Sequence, residues 1–163
     1  SGFQAEEKYG FDMSKEALKH ASKNDPSTQY AVASIFRLPL EDASCDTAVT
    51  CFAPFAKDEI ERVLTQGGRF FFVSPGPKHL FELKQLIYDT PYENEMKDLE
   101  TTLVKEEEYF ISNTFHCEKE NLISLFKMTP YYHRTRNEDI DKINHQDGMD
   151  ITAEFLIRVY QKR

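Results

Sequence analysis

The chain has 163 residues, of which 40% are hydrophobic, 29% charged and 13% aromatic, a composition that fits one globular domain and excludes disordered and fibrous classes. A chain of this length is expected to bury about 70% of its unfolded surface, so a core is feasible without disulfide or metal staples. The formal net charge of −8 argues against non-specific nucleic-acid binding as the main task, because neutralising phosphates needs a basic surface.

No apolar run approaches the ~20 residues of a membrane-spanning helix, and Ser1 to Gly10 lacks a basic-then-apolar signal pattern, so a soluble protein is expected. Cys45, Cys51 and Cys117 are odd in number and widely spaced, which fits a reducing cytoplasm rather than a disulfide framework or a zinc knuckle. The charge is uneven. Glu93 to Glu108 carries seven acids and two bases, whereas Lys127 to Arg136 holds Lys127, Arg134 and Arg136 with no acid. A local basic face therefore survives the negative total.

Strand and helix signals alternate along the chain, the pattern of an open α/β sheet. Lys8 to Asp12 reads as a short extended segment, and Ser14 as the N-cap of a helix over Lys15 to Lys23 with Ala17, Leu18 and Ala21 on one face. A turn at Asn24-Asp25-Pro26-Ser27 leads to a strand at Tyr30 to Ser34. Asp46 to Phe52 has the continuous apolar character of a central parallel strand covered on both faces. Lys57 to Leu64 reads as a helix capped by Gly67, followed by a strand over Gly68 to Ser74 that Pro75-Gly76-Pro77 stops. His79 to Tyr88 has helical spacing of Leu80, Leu83, Leu86 and Ile87. Thr90 to Lys105 is expected to be a charged loop or an exposed helix, and Glu106 to Phe115 a strand. An amphipathic helix over Glu118 to Lys127 ends before Thr129-Pro130, and Thr152 to Tyr160 alternates as a last strand.

Several of these segments carry candidate chemistry. Asp12 closes a strand, where a carboxylate can accept hydrogen bonds from ribose hydroxyls; it reads equally as an acid stabilised by a helix N-terminus. Phe52-Ala-Pro54 closes another strand and could simply turn the chain. His79, after Pro-Gly-Pro, reads either as a helix-start residue or as a functional imidazole. Lys127, Arg134 and Arg136 near Tyr131, Tyr132 and His133 mix cations with stacking rings, which suits RNA and equally an ordinary solvated patch. Phe70, Phe71 and Phe72 are expected to be core.

Ala33-Ser-Ile-Phe-Arg-Leu-Pro-Leu40, Asp42-Ala-Ser-Cys-Asp46 and Leu64-Thr-Gln-Gly-Gly-Arg-Phe70, in this order, resemble class I S-adenosylmethionine-dependent methyltransferases. Cys51-Phe-Ala-Pro54, Ser74-Pro-Gly-Pro-Lys-His-Leu80, Glu82-Leu-Lys-Gln-Leu-Ile-Tyr88 and Met128-Thr-Pro-Tyr131 look like the bacterial family that methylates N1 of a guanine in 23S ribosomal RNA. The resemblance covers nearly the whole chain, 1–163, as a single methyltransferase domain. It implies a Rossmann-like α/β sheet with helices on both faces, S-adenosylmethionine as cofactor and 23S rRNA as partner, in the cytoplasm and away from membranes. By the resemblance Asp12 would bind the ribose, and Met13, Ala33, Ser34, Leu38, Phe52, Ala53, Pro54 and His79 would complete the cofactor site. His79 would also be the catalytic group, and Lys127, Tyr131, Arg134 and Arg136 would contact RNA.

Two departures from the family pattern stand out. The family begins with a four-cysteine zinc module and a first strand carrying an Asp-x-Gly-x-Gly type loop, and neither occurs in this sequence. An N-terminally truncated domain is therefore expected, whose sheet must close the gap, borrow a strand from a second copy in a homodimer, or leave edges unpaired. Guanine N1 carries a proton that must be accepted, with His79 or a carboxylate as candidates; Asp12 is disfavoured because the ribose would occupy it. Two other readings stay open: a small-molecule methyltransferase of the same fold, and a non-catalytic interaction module of methyltransferase ancestry.

Overall fold

Residues 6–163 are described in a computed structural model; residues 1–5, the start of the segment inspected for a signal pattern, lie outside it. Tyr9–Asp12 (β1) and Gln29–Val32 (β2) form a parallel pair in the register Tyr9 to Gln29 through Asp12 to Val32. Lys15–Asn24 (α1) joins them, started by the expected Ser14 cap, whose hydroxyl accepts from the Ala17 N–H at 3.2 Å. Leu18 is the one buried side chain of this helix.

A separate sheet holds Cys45–Cys51 (β3), Leu64–Pro75 (β4), Val104–Glu118 (β5) and Gly148–Gln161 (β6) in the order β3-β4-β6-β5. Lys57–Val63 (α2) precedes β4, Phe81–Ile87 (α3) follows it, and Lys119–Lys127 (α4) and Asn137–Asn144 (α5) lie between β5 and β6. Among the described residues, the β1-β2 pair shares no strand pairing with this sheet.

The chain groups into two compact units. The first runs through Phe71 and includes Leu99–Glu106 and Val159–Arg163; the second comprises Phe72–Asp98 and Glu107–Arg158. In the first, Ile60, Val63, Leu64, Phe70, Val159 and Tyr160 are buried, and the Phe70 ring lies against Phe55 and Tyr160. In the second, Leu83, Ile87, Leu122, Phe126, Ile143 and Ile151 form a core cluster to which α3, α4, α5 and β6 contribute. Three cross-strand pairs there, Glu108 with Arg158, Thr114 with Thr152 and His116 with Asp150, fix β5 and β6 as antiparallel.

Three expectations need correction. β3 is an edge strand in which Thr50 is the one buried residue, because the continuous apolar run reports composition and not the number of paired neighbours. Gly67 does not cap the preceding helix: α2 ends at Val63 and Gly67, with φ +82°, sits inside β4, where its N–H donates to the Lys162 carbonyl. The interior strands are β4 and β6, and in β6 Leu156, Arg158, Val159 and Tyr160 are all buried, so side chains on both faces are covered at its end. Thr90 to Leu103 is a loop, one of the two alternatives expected there, and α5 was not expected.

Candidate functional site

The carboxyl ends of β1 and β2 lie side by side because the two strands are parallel and in register. Asp12 is exposed there, and its Oδ1 accepts from the Ser14 N–H at 2.6 Å, so the local turn orients the carboxylate while the helix start stabilises it. The Ala33 N–H donates to the Asp12 carbonyl at 3.2 Å, which brings Ala33 beside the acid. Met13 next to it is 70% exposed. Ser34 begins a tight turn: its carbonyl accepts from the Arg37 N–H and its hydroxyl from the Phe36 N–H.

Leu38 continues this loop, held by groups that the sequence reading did not single out. Its N–H donates to Glu59 Oε1 at 2.6 Å, while the Arg62 guanidinium donates to the carbonyls of Leu38 and Leu40 and to the carboxylates of Glu59 and Asp42. The Arg62 hydrogen bond holds the Glu59 carboxyl below its ordinary value. The only sequence signal was an Arg three residues after a Glu on a helix face.

β3 ends in Phe52, an exposed residue in the left-handed region at φ +54°, followed by Ala53 and Pro54. A bulky residue in that conformation is a strained turn, a feature that marks functional loops. Thr50, two residues earlier, is 7% exposed and its hydroxyl has no hydrogen-bond partner among the described residues.

His79 lies in the second unit. Its Nδ1 is 2.9 Å from the Glu154 carbonyl oxygen, which can only accept, so Nδ1 carries the proton and Nε2 is the acceptor nitrogen of the ring. Burial pushes its pKa below the ordinary 6.5, against the raising effect of the Glu154 carbonyl. The ring is tilted against Phe155, and the backbone of Lys78 donates to Glu154 Oε1. Glu154, another residue absent from the sequence reading, thus holds both His79 and its neighbour.

Of the basic segment, Lys127, Arg134 and Arg136 are exposed, and Arg136 donates to Asp139. Tyr131 packs on Phe126 and Tyr88, and burial pushes its hydroxyl up to about 12. Its ring belongs to the packing around the core cluster more than to the surface. Met128, 84% exposed, is the large apolar side chain most open to solvent in this segment. Among the described residues, no three His, Cys, Asp or Glu side chains are grouped to hold a metal, and no helix is long and apolar enough to cross a membrane.

Residues 3–72 match a family described as a methyltransferase domain. Two solved structures superpose on nearly the whole chain: YcgJ from Bacillus subtilis, with TM-score 0.56, 16% identity and coverage of 96% of this chain and 82% of the other, and a provisionally assigned methyltransferase from Bacillus halodurans C-125, with TM-score 0.55, 14% identity and coverage of 94% and 82%. The chain has a methyltransferase fold.

Within that fold, the sequence is similar to two named rRNA enzymes. YxjB of Bacillus subtilis (strain 168), provisionally named a 23S rRNA (guanine-N1-)-methyltransferase, is 28% identical over 94% of this chain. The 23S rRNA (guanine(748)-N1)-methyltransferase of Streptomyces fradiae is 41% identical over 73 residues, 44% of this chain. These matches span 56% and 26% of the two relatives' own lengths. Asp12 and Ala33 lie together at the carboxyl ends of the paired strands β1 and β2.

Proposed function

We propose that this chain takes part in S-adenosylmethionine-dependent methylation of N1 of a guanine in 23S rRNA. The observation that carries the reading is the oriented, exposed Asp12 carboxylate at the end of a parallel strand, bonded through its backbone to Ala33. The relatives' names supply the acceptor.

The residues present fit the ribose and adenine portion of the cofactor. Asp12 Oδ1 is fixed by Ser14, leaving the exposed carboxylate available to hydroxyl donors, and Met13, Ala33, Ser34 and Leu38 are the residues assigned to the base. The buried Thr50 hydroxyl, without a hydrogen-bond partner among the described residues, lies two residues before Phe52 and offers a further polar group at the end of β3. When bound, S-adenosylmethionine supplies an electrophilic methyl group.

The protein's own task is alignment and proton acceptance. Orientation of reacting groups can supply about 7–11 kcal/mol of barrier reduction. Guanine N1 must lose its proton, and neutral His79 is suited to take it at Nε2: Nδ1–H is committed to the Glu154 carbonyl, and burial keeps the ring unprotonated near neutral pH. Lys127, Arg134 and Arg136 provide phosphate contacts.

The test is methylation of a 23S rRNA transcript with isotopically labelled cofactor. N1-methylation blocks Watson–Crick pairing, so a modified guanine stops reverse transcription. His79→Ala is expected to lose turnover while binding S-adenosylhomocysteine normally, and Asp12→Ala to weaken that binding by about tenfold, as expected for loss of hydrogen bonds to a charged acceptor. A wild-type chain that binds S-adenosylhomocysteine but stops no reverse transcription would redirect the reading to a small-molecule acceptor. No binding at all would leave the interaction-module reading.

A further inference from the structure

The second unit contains a buried cation that the proposed chemistry does not use. Lys84 of α3 is 1% exposed, inside the packing formed by the core cluster and its surrounding tyrosines. Burying an ammonium is unfavourable unless its protons are taken up, and a leucine would fill such a position at lower cost. Among the described residues, the Lys84 partners are neutral: Asn94 Oδ1 at 2.6 Å, the Tyr92 carbonyl at 3.1 Å, the Tyr92 ring with its centroid at 4.5 Å and the Tyr131 ring at 5.8 Å.

Asn94 passes this contact on. Its backbone N–H donates to the Pro77 carbonyl at 2.9 Å and its Nδ2 donates to the Gly76 carbonyl at 2.8 Å. Pro75 and Pro77 lack N–H groups, so the turn between β4 and α3 can bond only part of itself internally, through the His79 N–H to the Gly76 carbonyl and the Phe81 N–H to the Lys78 carbonyl. Outside groups must hold the rest. Glu154 grips one side, where its carbonyl accepts from both the Gly76 N–H and His79 Nδ1; Asn94 grips the other.

A carboxamide can face either way, and what settles it is the chemistry of its neighbours. An ammonium only donates, so Asn94 must turn its oxygen toward Lys84 and its NH2 toward the Gly76 carbonyl. We propose that Lys84, acting through Asn94, is a positioning residue for His79: it fixes the carboxamide that holds the Gly76-Pro77 turn from which the imidazole is presented. The role rests on the reading of His79 as proton acceptor. Burial lowers the Lys84 pKa, and the Lys84 charge in turn lowers that of His79, so the two groups lie within electrostatic reach.

Asn94→Asp separates positioning from packing. A carboxylate would still accept from Lys84, with an added ion pair, and would maintain the fold; it could not donate to the Gly76 carbonyl. The readout is the His79 ring itself, by nitrogen-detected NMR of its tautomer, together with exchange of the His79 amide proton. In both Asn94→Asp and Lys84→Met, the Nδ1–H tautomer is expected to lose its dominance and the His79 amide to exchange at least tenfold faster, with the double variant no worse than either single one. Unchanged His79 signals in Asn94→Asp would overturn the proposal, as would a Lys84→Met protein that melts lower yet keeps those signals. Because the ring is observed without turnover, the two ideas fail separately. His79→Ala with intact methylation removes the functional reading and leaves the positioning result standing. Loss of methylation in His79→Ala, with both positioning variants silent in NMR, does the reverse.

Discussion

Gly76 shows how little slack surrounds His79. A Cβ at this position would lie 2.6 Å from both Cγ and Oε1 of Glu154, the residue whose carbonyl holds the imidazole and whose carboxylate accepts from Lys78. Gly76→Ala must therefore push the Glu154 side chain away from its root, not only at its tip. We expect a loss of roughly 1–3 kcal/mol in urea denaturation, typical of overpacking, together with a change in the His79 ring signals. His79 was legible in the sequence because it follows a Pro-Gly-Pro string. Its partners were not: Glu154 is 75 residues away on β6, and Asn94 lies in a loop with no periodic signal. Contacts of that separation depend on strand order, which no local pattern contains.

Elements differ sharply in what they contribute. α4 and α5 bury Leu122, Phe126 and Ile143 almost completely, so Leu122→Ala is expected to cost roughly 2–5 kcal/mol. On β5, Phe110 and Ile111 are each 52% exposed, and Phe110→Ala should change stability by no more than about 0.5 kcal/mol in the same denaturation experiment. Most elements could be read from local signals: the Ser14 cap, the apolar spacing of α4 and the strand of phenylalanines in β4 each state their own structure. α5 could not, because Asn-Glu-Asp-Ile-Asp-Lys-Ile-Asn offers only Ile140 and Ile143 as an apolar stripe, and its buried Asp139 reads as surface until Arg136 and Lys142 are seen beside it. The misplacement of β3 at the centre has a similar origin, since a side-chain pattern reports cover and not pairing.

At the scale of the molecule, two histidines give opposite responses to pH. The folded state holds His79 below its ordinary 6.5, so between the two values the unfolded chain binds more protons, and stability is expected to fall as pH drops below about 6.5. His116, raised by its hydrogen bond to Asp150, contributes below 6.5 and loses that contribution as pH rises through its folded value. Thermal melts across this range should show the acid-side loss diminished in His79→Ala and the alkaline-side loss diminished in His116→Ala. The overall charge of −8 limits what RNA can gain from the surface. Three exposed cations on the basic segment predict a shallow salt dependence, with a slope near −2 in log affinity against log salt for single-stranded RNA, and a steeper slope would point to further contacts.

The β1-β2 pair has a consequence for how a ligand would announce itself. Two strands of four residues, backed by a helix with one buried side chain, form a small unit of sheet, and isolated two-stranded sheets are marginal in water. The acid proposed to hold the ribose stands at the end of that pair. A molecule that bridges Asp12 and Ala33 would fasten the strands to each other and oppose local opening, so α1, with Lys15, Lys19 and Lys23 along it, becomes a reporter. Trypsin cleavage at those lysines should slow as S-adenosylhomocysteine is added, in proportion to occupancy, making resistance to a protease a titration of the nucleoside site.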